Sequence, residues 1–253
     1  MRVTFLGTGT SHGVPVIGCS CPVCTSTDPK DQRLRTSVHL DPDGSSIVID
    51  TGPDFRQQML THKITHLDAV VYTHEHKDHT AGLDDIRGFN MFQAKPIPLY
   101  ASAPVLSRLR QEYAYIFGAD NYPNLPQIAV HTITNQPFRV QQVSFLPIEV
   151  HHYQLSVFGF RIGDFTYITD ANRIDPSEKE KIRGTHTLVV NALHNIPNIA
   201  HFTLDEALAL AEEIQPQQTY LVHMSHQIGR HQEVEEILPA RVSLAYDGLR
   251  ITV

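Results

Sequence analysis

The residues best suited to chemistry are Thr73-His74-Glu75-His76-Lys77-Asp78-His79, which directly follow the apolar run Asp68-Ala-Val-Val-Tyr72. Three imidazoles and a carboxylate within six residues cannot all point one way on a helix or a strand. On a turn they can converge from different directions on one or two cations, and such donors suit zinc, manganese or iron. One loop cannot complete two metal shells, so further donors are expected at the ends of later strands. His151-His152 after Ile148-Glu-Val150, Asp170 after Tyr167-Ile-Thr169, and His223 after Tyr220-Leu-Val222 occupy such positions, where α/β sheets present their sites. Spacing alone leaves His151 and His152 equivalent.

A second cluster holds all three cysteines, Cys19, Cys21 and Cys24, in the run Gly18-Cys-Ser-Cys-Pro-Val-Cys24. Three thiolates lack one ligand of a closed tetrahedral zinc site. His226, three residues after His223, is a candidate for the fourth. On the turn Val222-His-Met-Ser-His226 one imidazole can face each cluster. A redox trio and three buried small residues are the plainer alternatives. Asp50 follows the strand-like run Ser46-Ile-Val-Ile49, where it can orient a ligand histidine or cap the Gly52-Pro53 turn. Ser11, His12 and Gly13 could meet phosphate through backbone N–H groups, and Asp84, Asp85 and Arg87 read first as a solvated, ion-paired loop.

These side chains need a scaffold, and the composition supplies one. The chain has 253 residues, 41% hydrophobic and 19% charged, enough for a sizeable core. Twenty Lys and Arg against 27 Asp and Glu leave a net charge of −7, which disfavours a broad nucleic-acid clamp. No apolar run is long enough to span a bilayer, and the first residues do not read as a secretory signal. A cytoplasmic protein without a membrane partner is expected. Val3–Leu6, Ser46–Ile49, Asp68–Thr73, Val143–Leu146, Phe158–Ile162, Phe165–Thr169, Thr187–Val190 and Thr219–Val222 read as strands. Leu204–Ile214 reads as a helix, with Leu204, Leu208, Ala211 and Ile214 on one face and Thr203 with Glu206 as a capping box. Two β-rich halves with helices outside predict a layered α/β sandwich spanning 1–253 as one domain. Residues 86–128 interrupt the pattern with Phe89, Phe92, Tyr100, Tyr113, Tyr115, Phe117 and Tyr122. They are expected to form an insertion or cap, with a helix over Ala103–Phe117 and a homodimer contact through the aromatics.

The His-x-His-x-Asp-His loop at 74–79 and the later His, Asp and His resemble the metallo-β-lactamase superfamily, as do Phe5-Leu-Gly-Thr-Gly9 and Ile49-Asp-Thr-Gly52. That resemblance implies a four-layer αββα sandwich holding two divalent ions, Zn or Mn. It puts His74, His76 and His152 on one ion, Asp78, His79 and His223 on the other, and Asp170 between them. The cysteine loop with His-Met-Ser-His226 narrows the resemblance to the phosphoribosyl 1,2-cyclic phosphate phosphodiesterase (PhnP) branch. There Cys19, Cys21, Cys24 and His226 would hold one structural zinc, and Asn198-Ile-Ala-His201-Phe-Thr-Leu204 would carry a catalytic histidine, His201. His194 stands where many relatives carry Arg.

The implied activity is hydrolysis of a small phosphodiester such as 5-phosphoribosyl 1,2-cyclic phosphate or a 2′,3′-cyclic nucleotide. Two cations would activate water and offset charge at phosphorus. His201 would act as general acid to the leaving oxygen, worth about 100- to 10,000-fold, and Asp78 is the second catalytic candidate. The alternatives are an RNA-processing nuclease of the same superfamily and a non-enzymatic metal-binding scaffold. The partner expected is the small substrate, with no stable nucleic-acid complex.

Overall fold

The computed structural model describes residues 1–118 and 124–253, so Tyr122 lies outside the described residues. The first sheet is built from β1 (Arg2–Gly7), β2 (Ser37–Asp41), β3 (Ile47–Ile49), β4 (Ala69–Val71), β5 (Ile97–Ser102) and β6 (Ile128–Ile133). The second holds β7 (Phe138–Val140), β8 (Val143–His152), β9 (Leu155–Ile162), β10 (Phe165–Ile168), β11 (Thr187–Asn191), β12 (Gln218–Val222) and β13 (Val242–Leu244). The last strand, β14 (Arg250–Thr252), returns to pair antiparallel with β1. The orders are β14-β1-β2-β3-β4-β5-β6 and β13-β12-β11-β10-β9-β8-β7. The helices are α1 (Phe55–His62), α2 (Lys77–Thr80), α3 (Arg87–Gln93), α4 (Ala103–Glu112), α5 (Ala114–Phe117), α6 (Pro176–Ile182), α7 (Leu204–Ile214) and α8 (His231–Glu235).

Alternation along the strands builds the layers. Val3, Phe5, Ile47, Ile49 and Val71 face the second sheet and meet Phe145, Phe160, Phe165 and Val189 in one shared core. Their neighbours Leu6, Val48 and Val70 point the other way, onto Phe55, Phe89, Val105 and Leu109 of α1, α3 and α4. In the second sheet Leu188 and Val190 pack with Leu204, Leu210 and Val234 of α7 and α8. Strands buried on both faces are apolar throughout rather than alternating. The result is the four-layer αββα sandwich. The Thr203–Glu206 capping box forms as expected: Thr203 Oγ1 accepts from Glu206 N at 3.2 Å, and Glu206 Oε2 accepts from Thr203 N at 2.8 Å.

Residues 86–128 are neither an insertion nor a cap. They supply β5, which lies between β4 and β6 in the first sheet, and helices of its outer layer. Phe89 and Tyr113 are buried in that layer's core. Tyr100 stacks on His131 and Phe138. The expected Ala103–Phe117 helix breaks at Tyr113 (φ −119°, ψ 43°), whose hydroxyl donates to the Thr80 carbonyl at 3.0 Å. Tyr113 therefore buttresses the histidine loop and is not free for a subunit contact.

The carboxyl ends of β3, β4 and β5 gather along one edge of the first sheet, because these strands are parallel. The same holds for β10 to β13 in the second sheet. The two edges meet where Phe158 N donates to the Thr73 carbonyl at 3.1 Å. Among the described residues no helix is long and apolar enough to cross a membrane.

One half-buried imidazole gives the fold an acid-sensitive point away from that seam. Burial pushes His39 down to about 4, and its Nε2 lies 2.8 Å from Ser46 Oγ. Free imidazole titrates near ~6.5, so between roughly pH 6.5 and 4 the unfolded chain binds a proton that the fold excludes. Stability from this residue is complete above that window and is lost as pH falls through it. His39→Gln is expected to lose less urea-unfolding free energy than wild type between about pH 7 and pH 4.5. An equal loss in both would remove His39 as a cause.

Candidate metal centre

At the seam, three candidate residues sit in unusual backbone conformations within two residues of their strand ends. Asp50, Asp170 and His223 have φ of 67°, 54° and 56°, a left-handed conformation that costs a residue with a β-carbon roughly 1–2 kcal/mol. It turns the chain sharply at the strand end, and all three side chains are buried.

Among the described residues the donors form adjoining groups. His74, His76 and His152 make one, Asp78, His79, Asp170 and His223 another, with ligand atoms in each within 4.8 Å of one another. The His74 and His76 rings are 4.7 Å apart, and His152 lies 5.5 and 5.0 Å from them. His79 Nε2 is 3.2 Å from Asp78 Oδ2 and 3.1 Å from Asp170 Oδ2. His223 Nε2 is 3.2 Å from Asp170 Oδ1, which is 4.0 Å from His152 Nε2. Asp170 thus stands between the groups. His201 joins them, its ring 4.7 Å from His152 and 4.8 Å from His223, with Nδ1 3.5 Å from Asp170 Oδ1.

The structure separates the two adjacent histidines of β8. His152 turns into the seam, and the Ala200 carbonyl accepts from its Nδ1 at 2.8 Å. His151 pairs instead with Asp175 at 2.9 Å. Asp50 accepts from Thr73 N at 2.9 Å, Thr73 Oγ1 at 2.8 Å and His79 Nδ1 at 2.7 Å. The last bond leaves His79 Nε2 facing Asp78 and Asp170, so Asp50 orients a site histidine and does not merely cap a turn.

The donor set fits divalent ions. Nε2 of His74, His79 and His223 and Nδ1 of His201 are buried without hydrogen-bond partners, and an orphaned buried polar group costs about 1–3 kcal/mol. Convergent lone pairs and carboxylates are what a cation satisfies. Charge agrees with this. Burial alone would push His79 down, but Asp78, Asp170 and Asp50 hold it well above the usual imidazole value, so these carboxylates favour positive charge at His79. Burial pushes His74 far down, leaving a neutral ring.

The cysteines meet His226 at the turn beyond β12. Their sulfurs lie 3.3, 3.3 and 3.4 Å from His226 Nδ1, and all three are free thiols. The Cys24 N–H donating to Cys21 holds that thiol down to about 6, whereas burial pushes Cys24 up to about 11. Near this turn Thr10 N donates to the Met224 carbonyl at 3.0 Å, while Ser11 and His12 are exposed. Asp84 pairs with Arg87 at 3.3 Å on the surface. His194 is buried, its Nδ1 accepting from Ile196 N at 3.1 Å, so it shapes the loop before His201.

Sequence reasoning missed three supports of the site. Thr73 anchors Asp50 twice, Tyr113 holds Thr80, and Gly52 lies so close to the loop that a β-carbon there would be 2.2 Å from the Asp78 carbonyl oxygen. The glycine in Asp50-Thr-Gly52 was the available signal. The other two depend on contacts between distant segments.

Residues 45–224 match the family model of the beta-lactamase superfamily domain. The chain is 38% identical over 256 residues to an octanoyltransferase of Porphyromonas gingivalis, a match covering all of this chain and 52% of that protein. It therefore spans about half the length of this curated relative. A solved diphosphatase from the PhnP family is 38% identical with a TM-score of 0.94, covering 100% of this chain and 97% of that one. Zinc-bound PqqB from Methylobacterium extorquens shares the fold at 20% identity, with a TM-score of 0.81 and full coverage of both chains. The chain belongs to the metallo-β-lactamase superfamily. Within it, the chain falls in the PhnP-like branch, and its clustered His and Asp donors suit divalent metal.

Asp50→Ala should strand the buried Thr73 N–H and release His79. Loss of such an outer partner lowers metal affinity about 10- to 100-fold. Chelator competition on the purified variant checks this, with circular dichroism confirming the fold. Unchanged affinity would remove Asp50 from the centre.

Proposed function

We propose that this protein hydrolyses a small cyclic phosphodiester, of the kind represented by 5-phosphoribosyl 1,2-cyclic phosphate and 2′,3′-cyclic nucleotides. The observation that carries this reading is the placement of His201 against Asp170, where the two donor groups adjoin. In it, His74, His76 and His152 hold one ion, Asp78, His79 and His223 a second, and Asp170 lies between them, with zinc or manganese as the metal. Cys19, Cys21, Cys24 and His226 hold a structural zinc that ties the first and last thirds of the chain together. When bound, the paired ions supply Lewis acidity at phosphorus and favour ionisation of water near neutral pH.

The reaction adds water across one P–O bond. The water oxygen bonds to phosphorus, the ester bond to the leaving oxygen breaks, and that oxygen ends with the second proton. Asp78 orients the attacking water by accepting one O–H. His201 serves the leaving oxygen. Burial pushes its imidazole down to about 3, so at neutral pH the ring is neutral and acts as an N–H donor rather than as an imidazolium. This narrows the general-acid role that the resemblance implies.

A second reading is hydrolysis of a diphosphate linkage in a small molecule, favoured by the name of the PhnP-family neighbour. Both break a P–O bond at one centre. The net charge of −7 weighs against an RNA-processing nuclease. The Porphyromonas gingivalis name supports no acyl-transfer reading, because the rest of that protein lies outside the match. A homodimer belongs to the same proposal. Its contact would use exposed Met91 and Phe92, and light scattering of a monomer at micromolar concentration would remove it.

Phosphorus NMR of a panel of cyclic phosphodiesters and diphosphates is expected to show cyclic diester opening. Turnover of diphosphates alone would favour the second reading, and turnover of neither would overturn both. Elemental analysis of metal-supplied protein should approach three metals per chain, and one or fewer would refute the ligand assignment. His201→Ala should lower kcat about 100- to 1,000-fold for an alkyl leaving group, the typical cost of one such donor. The loss should be smaller for bis(p-nitrophenyl) phosphate, with the metal content unchanged. Equal losses for both substrates would contradict the donor role.

A further inference from the structure

The motif Gly7-Thr-Gly9 supplies none of the donors described above, yet its threonine is buried and bonded across nearly the whole chain. Thr8 Oγ1 donates to Asp247 Oδ1 at 2.8 Å, a residue 239 positions later. The other oxygen, Asp247 Oδ2, accepts from Leu34 N at 2.7 Å. Leu34 also holds the motif directly, its carbonyl accepting from Gly9 N at 2.8 Å. A β-carbon at Gly9 would lie 2.7 Å from the Arg33 carbonyl oxygen, so the glycine lets these two segments close up. Asp247 thus fixes Thr8 with one oxygen and the segment beneath it with the other.

What Thr8 holds in turn is the residue after His223. The Thr8 carbonyl accepts from Met224 N at 3.0 Å, and Thr10 N donates to the Met224 carbonyl at 3.0 Å. Both backbone polar groups of Met224 are therefore taken by the amino-terminal segment. On the other side of His223, Val222 is paired in register with Asn191 of β11. His223 stands between these two anchors with φ of 56°, a conformation that persists only where the surroundings impose it. Its imidazole can reach Asp170 only while both anchors hold. Charge complicates any test at Asp247 itself. The Arg33 side chain is buried and its guanidinium nitrogens lack hydrogen-bond partners. Asp31, Asp247 and Asp28 all act on that charge, so removing Asp247 also leaves a buried cation less well compensated.

We propose that Asp247 is a positioning residue for His223, acting through Thr8 and the backbone of Met224. The Gly-Thr-Gly motif then serves the metal centre from outside it, by fixing where one imidazole stands. This rests on the reading of His223 as a metal ligand given above.

Thr8→Val tests the path without disturbing Arg33, because it removes one hydroxyl and keeps the shape and charge. Full-length protein stripped of seam metal is titrated with manganese, followed by chelator competition. Thr8→Val should loosen one of two seam ions about 10-fold, as loss of an outer partner does. Thr8→Ser should restore wild-type affinity. Asp247→Ala should weaken the same ion, and combining it with Thr8→Val should weaken that ion no further, since both cut one path. Additive losses would overturn the proposal. So would a lowered melting temperature with both manganese affinities unchanged, which would leave Asp247 a structural cross-link only. Hydrogen exchange of the metal-free chain decides the matter without the metal. Thr8→Val should speed exchange within 222–226 and leave α7 as protected as in wild type, and unchanged exchange at 222–226 would also overturn the proposal. Wild type that takes up no manganese would defeat the reading of His223 as a ligand, while the exchange arm would still decide whether Asp247 fixes that turn.

Discussion

Buried imidazoles crowd hydrogen-bonded carboxylates along one seam, four of their nitrogens without the partners that usually justify burial, and the rest of the structure is arranged around that cost. The orphaned nitrogens of His74, His79, His201 and His223 would each be cheaper in water by about 1–3 kcal/mol. They stay inside because both sheets converge there and bury shared apolar faces over Val3, Phe5, Phe160, Phe165 and Val189. Left-handed turns at Asp50, Asp170 and His223 add to the same cost. A cation would offset much of it, so metal binding and stability are coupled in this chain.

How much of this the sequence reveals depends on the distance over which each feature is encoded. The loop 74–79 is legible because its donors are neighbours in the chain. Asp170 and His223 are legible because each ends an apolar strand. The choice between His151 and His152 is settled by which one meets the Ala200 carbonyl, 48 residues away, and spacing carries no such information. The expectation of an insertion or cap over residues 86–128 rests on their run of aromatics, yet β5 lies between β4 and β6 in the first sheet. Their aromatics suggested a surface contact, yet Tyr113 and Phe89 turn inward under α3 and α4.

The turn after β12 joins two separate clusters within four residues. His223 enters the seam and His226 meets the cysteines, while Met224 is tied to Thr8 and Thr10 through backbone hydrogen bonds. The chain ends meet as well, since Met1 N donates to the Val253 carbonyl at 2.7 Å. A cation among the thiols would thus hold the amino-terminal loop against the strand end that carries His223. Chemistry and cross-linking would share one turn without sharing a ligand.

The most direct test of the central claim is anomalous diffraction from crystals of the full chain grown with manganese or zinc. Two peaks are expected in the seam, one against His74, His76 and His152 and the other against Asp78, His79 and His223, with Asp170 touching both. A single peak, or peaks away from these side chains, would show that the donors are not paired metal ligands and would end the dinuclear model.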